Sequence, residues 1–246
     1  MTVSTRAASW TGILAGAVAH DINNFVQGVS SARALAERPD ATIADAAETA
    51  AIIEDDLDQL RKLGVRLRTL ASAGGSEAST RLGDACADAL AEVDRLPEQM
   101  HPASIPPDLF VVGTAAALTT AIAVLLEHAL AASPAPGKVR LAVRGPEVGE
   151  AAEGAAGHLP GSPVIVEIAA PDAWELGAIG KTRLDVVLRT SLPELRGDAR
   201  LVLAGAIADA IGGAIYIASD SKAGLVLALH LVASPKVAPG AKRADV

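Results

Sequence analysis

Hydrophobic positions in the first seventy residues fall into two long stripes of helical period. In the first, Val18, Ile22, Phe25, Val29, Ala32 and Ala36 step by four and three, the spacing of a seam between packed helices. This predicts a helix over residues 8–36. The stretch Glu37-Arg38-Pro39-Asp40 breaks it, because proline cannot continue a helix, and Asp40 or Thr42 is placed to cap the next one. The second stripe runs Ala46, Ala50, Ile53, Leu57, Leu60, Gly64, Leu67, Ala71 and predicts a helix over 42–72, with Asp55, Asp56, Asp58, Arg61, Lys62, Arg66 and Arg68 on its other face. Long helices joined by so short a turn must lie antiparallel. A lone hairpin leaves apolar surface uncovered, so the expected completion is a homodimeric four-helix bundle; the alternative is a hairpin packed on the rest of its own chain.

The period changes after the linker Ala73-Gly74-Gly75-Ser76. An amphipathic helix is expected over 81–96, short strands over 101–105 and 109–112, and a helix from Ala115 to Ala132. Strict alternation in Lys138–Arg144 and again in Val164–Ala169 marks half-buried strands. The Gly-, Ala- and Pro-rich residues 145–163 between them read as a surface loop. Residues 184–190 fit strand or helix equally well. A helix over 199–211 stops at Gly212-Gly213, strands follow at 214–219 and 225–232, and the tail 235–246 is expected to be disordered. The domains expected are therefore a hairpin over 1–74 and a mixed α/β unit over 78–234, its sheet covered on one face by about three helices.

Composition narrows what this fold can do. Half of the residues are hydrophobic but only 2% are aromatic, so the core is built from alanine and branched aliphatic side chains in close helix contacts. A net charge of −8 argues against a nucleic-acid surface, which needs a basic patch. The single cysteine, Cys86, excludes an internal disulfide and a Cys-cluster metal site. Glu127 and His128 interrupt the most apolar run, and no basic-then-apolar leader opens the chain, so a cytoplasmic protein without a membrane span is expected.

Candidate chemistry lies on the first helix. His20 is two residues from both Val18 and Ile22, roughly 200° and 160° around the helix from them, so it faces away from the seam. Asn24, Gln27 and Ser31 follow on the same ridge, and Asp21 adjoins it. An exposed imidazole beside an acid, with amides one and two turns on, has the makings of a nucleophilic site. The other histidines, His101, His128, His158 and His230, have no partners at metal-ligand spacing, so no metal site is proposed.

The stretch Ala19-His-Asp-Ile-Asn-Asn-Phe25 resembles the H-box of sensor histidine kinases, whose dimerising hairpin carries a phospho-accepting histidine followed by an acid. The resemblance implies that His20 is the phospho-acceptor, Asp21 its acid, and Asn24 the polar residue that aligns water for removing phosphate from a partner. Phe25 stands where many members have proline. Val124–Ala132 is similar to the N-box helix of the ATP-binding domain, and residues 199–229 to its closing helix and hairpin. The implied fold class is α+β: a helical hairpin forming a dimeric four-helix bundle, then a Bergerat-type α/β sandwich in degenerate form.

Departures from the family pattern fall on every nucleotide element. The two N-box asparagine positions hold Val124 and His128, and Mg²⁺ prefers oxygen ligands. The Asp-x-Gly-x-Gly box is reduced to Asp172-Ala-Trp-Glu-Leu176. Its glycine-rich lid is reduced to Arg196-Gly-Asp-Ala-Arg-Leu201, where side chains replace the bare backbone that closes on a triphosphate. The expectation is a phosphotransferase without autokinase activity and without a cofactor of its own, relaying phosphate between response-regulator receiver aspartates through His20. The receiver would bring the Mg²⁺. Two alternatives stand beside it: a receiver phosphatase using Asn24, and a pseudokinase interaction module in which His20 is inert.

Overall fold

The computed structural model describes residues 3–74, 78–93, 105, 109–133, 139–145, 163–171, 173, 179–190, 199–220 and 224–234. The strand expected over 101–105 apart from Ile105, most of the 145–163 loop, the Asp172–Leu176 box apart from Ala173, the lid residues Arg196 to Asp198 and the tail from 235 lie outside the described residues.

Two long helices, α1 (Val3–Ala36) and α2 (Ile43–Ala73), form the antiparallel hairpin. The short connection is fixed by a capping box on α2: the Thr42 hydroxyl accepts from the Asp45 N–H at 3.2 Å, and the Asp45 carboxylate accepts from the Thr42 N–H at 2.7 Å. The Thr42 hydroxyl, which also donates to this carboxylate at 2.7 Å, and then the Thr42 N–H hold the Asp45 carboxyl below its ordinary pKa. Two amide donors left over at a helix start are thereby satisfied. Thr42→Ala is expected to lower stability by about 1 kcal/mol in urea unfolding.

The body that follows runs β1 (Ser79–Arg81), α3 (Leu82–Glu92), β2 (Phe110–Val112), α4 (Ala115–Ala132), β3 (Arg140–Arg144), β4 (Pro163–Ala170), β5 (Ile179–Arg183), α5 (Leu184–Thr190), α6 (Ala199–Ala210), β6 (Ala214–Asp220) and β7 (Gly224–Val232). Five strands form an antiparallel sheet in the order β3-β4-β7-β6-β5, and β1 pairs with β2 in a small separate ladder. That ladder is tied to the end of β7, where the Ser234 N–H donates to the Phe110 carbonyl at 2.9 Å. Alternation in β4 and β7 buries Val164, Val166 and Ile168 with Leu225, Leu227, Leu229 and Leu231 on one face. Helices α4 and α6 lie on that face, α3 flanks α4, and α5 packs at the β5–β6 edge. The undecided segment 184–190 is helical because Leu184, Val187 and Leu188 turn inward together while Val186 stays exposed, a spacing only a helix allows. Helix α6 ends in a Schellman motif: Gly212 adopts φ +77°, and the Gly213 N–H donates to the Ala208 carbonyl at 2.7 Å.

Helix α4 corrects one expectation. By length and hydropathy it could cross a membrane despite Glu127 and His128, yet most of it is buried inside the body. Its apolar character is that of a core helix touched on several sides.

On the opposite sheet face, β7 carries His230, only 6% exposed, its ring centre 4.4 Å from that of Tyr216 at a 45° tilt, with its Nε2 making no hydrogen bond. Burial and the nearby Lys181 ammonium push its pKa down to about 4 from the ordinary 6.5. The unfolded chain takes up this proton near pH 6.5 while the folded chain stays neutral until about pH 4. Stability is therefore fully present above pH 6.5 and falls as the pH drops toward 4, by on the order of 3 kcal/mol. Urea unfolding at pH 7.5 and 4.5 should show this loss, and His230→Gln should flatten it.

Candidate functional site

His20 sits where the alternation of faces on α1 places it. It and Asn24, Gln27 and Ser31 are all exposed, forming one ridge, while of the expected seam Val18, Phe25 and Val29 are half-buried, Ala32 is buried, and Ile22 and Ala36 are exposed. Opposite this region the two helices approach closely at Gly28, where an added Cβ would lie 2.7 Å from the Asp56 carboxylate. Helices running antiparallel with residue 28 facing 56 put His20 level with Gly64. The expected stripe on α2 is only partly inward: Ile53, Leu60 and Leu67 are half-buried, but Leu57 is 39% exposed.

The His20 side chain is 55% exposed. Its Nδ1 lies 3.2 Å from the Asn24 amide Nδ2 and 3.5 Å from an Asp21 carboxylate oxygen. Both neighbours therefore address the same ring nitrogen. A carboxylate can only accept, so Asp21 favours a proton on Nδ1. A half-turn of the Asn24 amide presents its oxygen to that same proton, while the orientation with nitrogen inward favours the other tautomer. With the proton on Nδ1, Nε2 keeps its lone pair. The neighbouring acid thus reaches the ring directly, at a distance longer than a good hydrogen bond. Asn24 reaches it more closely, one helical turn on. The structure brings together His20, Asp21 and Asn24, the three residues singled out in the sequence.

The base of the hairpin is embedded in the body. Trp10, 9% exposed, lays its ring against Gly205 of α6 so closely that a Cβ there would overlap it. Arg66 of α2 pairs with Glu127 of α4 at 2.5 Å, with 12% and 18% of the two side chains exposed. Ala17 and Ala73 are buried in the same hydrophobic cluster as the body's own core. Sequence patterning missed both contacts. The small-residue run Ala204-Gly205-Ala206 was the one available signal, since only such a helix surface admits an indole face.

At the positions to which the resemblance assigns nucleotide contacts, Val124 and Leu201 are fully buried, Ala199 is 1% exposed and His128 is 9% exposed. All four face into packed interior. None offers an oxygen to a metal, and this donor set does not fit a magnesium-bridged triphosphate.

No family model matches the chain, and no curated protein matches it in sequence. Solved structures do. Full-length ShkA, solved in complex with AMPPNP, aligns over 96% of this chain at a TM-score of 0.51 and 14% identity. The mycobacterial sensor histidine kinase MprB aligns over 65% of it at 0.44 and 18%, covering 99% of its own chain. The Acinetobacter baumannii histidine kinase AdeS aligns over 87% at 0.47 and 14%, covering 96% of its own. The chain therefore has a histidine-kinase-like fold, a helical hairpin followed by an ATPase-like α+β unit. It spans 46% of the length of ShkA.

Proposed function

We propose that this chain is a histidine phosphotransfer protein of two-component signalling, taking a phosphoryl group from a receiver aspartate onto His20 and passing it to another receiver. The observation that supports this reading is the exposed His20 ring with Asp21 and Asn24 both at its Nδ1; with that nitrogen protonated toward the Asp21 carboxylate, Nε2 is the attacking atom. In the uptake step the Nε2 lone pair forms the N–P bond while the acyl-phosphate P–O bond breaks, and the aspartate leaves as carboxylate. The Nδ1 proton is stabilised, or taken, by Asp21. The return step reverses this. The receiver supplies the Mg²⁺ that screens the phosphoryl oxygens.

The apolar burial of Val124 and Leu201 supports a chain that needs no nucleotide for this chemistry. Ile22, Val26, Leu35 and Ile52, each more than 40% exposed on the upper hairpin, support a homodimer closed by a second copy at that end. A cytoplasmic site of action follows from the reading, because receivers are its partners.

Incubating the protein separately with labelled ATP and with a labelled phospho-receiver tests the proposal. Label on His20 from the receiver alone supports relay, and label from ATP overturns it. Receiver phosphate that is lost in His20→Ala but kept in Asn24→Ala identifies a phosphatase instead. No transfer and no loss leaves an interaction module.

A further inference from the structure

We infer that the α/β body does not swing against the hairpin, and that Trp10 on Gly205 and Arg66 on Glu127 are the two positioning contacts that lock it. The facing of Gly28 and Asp56 fixes the helix levels. Trp10 then lies level with residue 74, and Arg66 level with residue 18. Eight residues of helix separate the two contacts by roughly 12 Å along the hairpin. One contact would leave a pivot; two so far apart do not.

The space between them is filled as well. Leu14 and Leu70 pack half-buried against the core that Ala17 and Ala73 enter fully. The indole needs a helix surface with no side chain, and α6 provides it at Gly205, the one glycine in that helix. Only residues 74–78 join the end of α2 to β1, a tether that reaches at most about 18 Å when fully extended. His20 stands ten residues, roughly 15 Å, further along α1 than Trp10. A body delivering a phosphoryl donor to His20 would have to withdraw both contacts and cover that distance. Locked in place, it leaves the His20 ridge open to an external donor, which deepens the relay reading by naming what keeps that site accessible.

Distances between spin labels test the lock directly. Labels are placed on Ser31→Cys in α1 and Arg140→Cys in β3, both exposed positions. Cys86 is buried, with its thiol pushed up to about 12, so it stays unlabelled. Labelled protein is diluted into excess unlabelled wild type to isolate distances within one chain. The expected result is one narrow distance distribution, at least doubled in width by Trp10→Ala or Arg66→Glu. Arg66→Glu combined with Glu127→Arg should restore the narrow form, and this charge exchange carries the test alone if Trp10→Ala does not fold.

A broad or two-peaked distribution in the wild type overturns the lock. So does a narrow one that no variant widens. Phosphoryl transfer to His20 is measured separately: a narrow distribution without transfer keeps the lock and sinks the relay, and a broad one with transfer does the reverse.

Discussion

On the proposed relay, replacing His20 with alanine is expected to abolish phosphoryl uptake from a phospho-receiver, a loss of roughly 10³-fold or more, because it deletes the proposed nucleophile. No other described histidine can stand in. His128 and His230 are 9% and 6% exposed, packed in the body rather than on the hairpin ridge. Asp21→Ala should cost less, about 10²-fold, since it removes the group that orients the Nδ1 proton and leaves the ring in place. Asn24→Ala separates two roles: in relay it slows transfer modestly, and in a phosphatase it stops hydrolysis. Label quantified on wild type and the three variants, from one phospho-receiver preparation, checks all of these. Circular dichroism should be unchanged throughout, because these side chains lie on the exposed or half-exposed side of α1 and fill no core space.

The hairpin was legible because its two determinants are local. A four-three stripe and the break at Pro39 place the two helices without help from distant residues, and the ridge bearing His20 follows from the same periodicity. The sequence admits Asp40 or Thr42 as the cap, which the structure assigns to Thr42, and it puts the start of α1 at residue 8 rather than Val3. The stop at Gly212-Gly213 was legible for a similar reason, a left-handed turn that glycine alone adopts without strain. Strand β5 was missed because Ile179-Gly-Lys-Thr-Arg183 has no alternation; its pairing with β6, not its own pattern, makes it a strand. The joint between hairpin and body was invisible for a further reason. Arg66 and Glu127 are sixty-one residues apart, and each reads as an ordinary solvated charge on its own helix. Only the docking of α2 against α4 makes them a pair. Likewise the stripe on α2 could not tell which neighbour it serves: Leu67 packs against the common core, joined there by Leu63 and Leu70 from outside the stripe, whereas Leu57 is left exposed.

Trp10→Ala is expected to lower stability more than any surface change on the hairpin, by about 3–5 kcal/mol, the range for deleting a buried large aromatic. The indole lies on Gly205 with no side chain between, so its removal opens a void that a rigid α6 cannot collapse into. Gly205→Leu should do similar damage from the other side by overpacking, although the helix propensity of leucine exceeds that of glycine. The sign of that variant is informative: propensity gives about 1 kcal/mol in its favour, and overlap with the ring outweighs it. Combining Gly205→Leu with Trp10→Ala should recover part of the loss, because the new side chain enters the void left by the old one and neighbouring sites do not add. Arg66→Ala should cost less than Trp10→Ala, about 2 kcal/mol, since Glu127 would be left unpaired but at 18% exposure still reaches water. Urea unfolding also reports how the parts are coupled. Wild type, with one core running through both parts, should unfold in one transition. Loss of Trp10 should separate hairpin and body into two, with a lower m-value for each, because each then exposes only its own share of the buried surface.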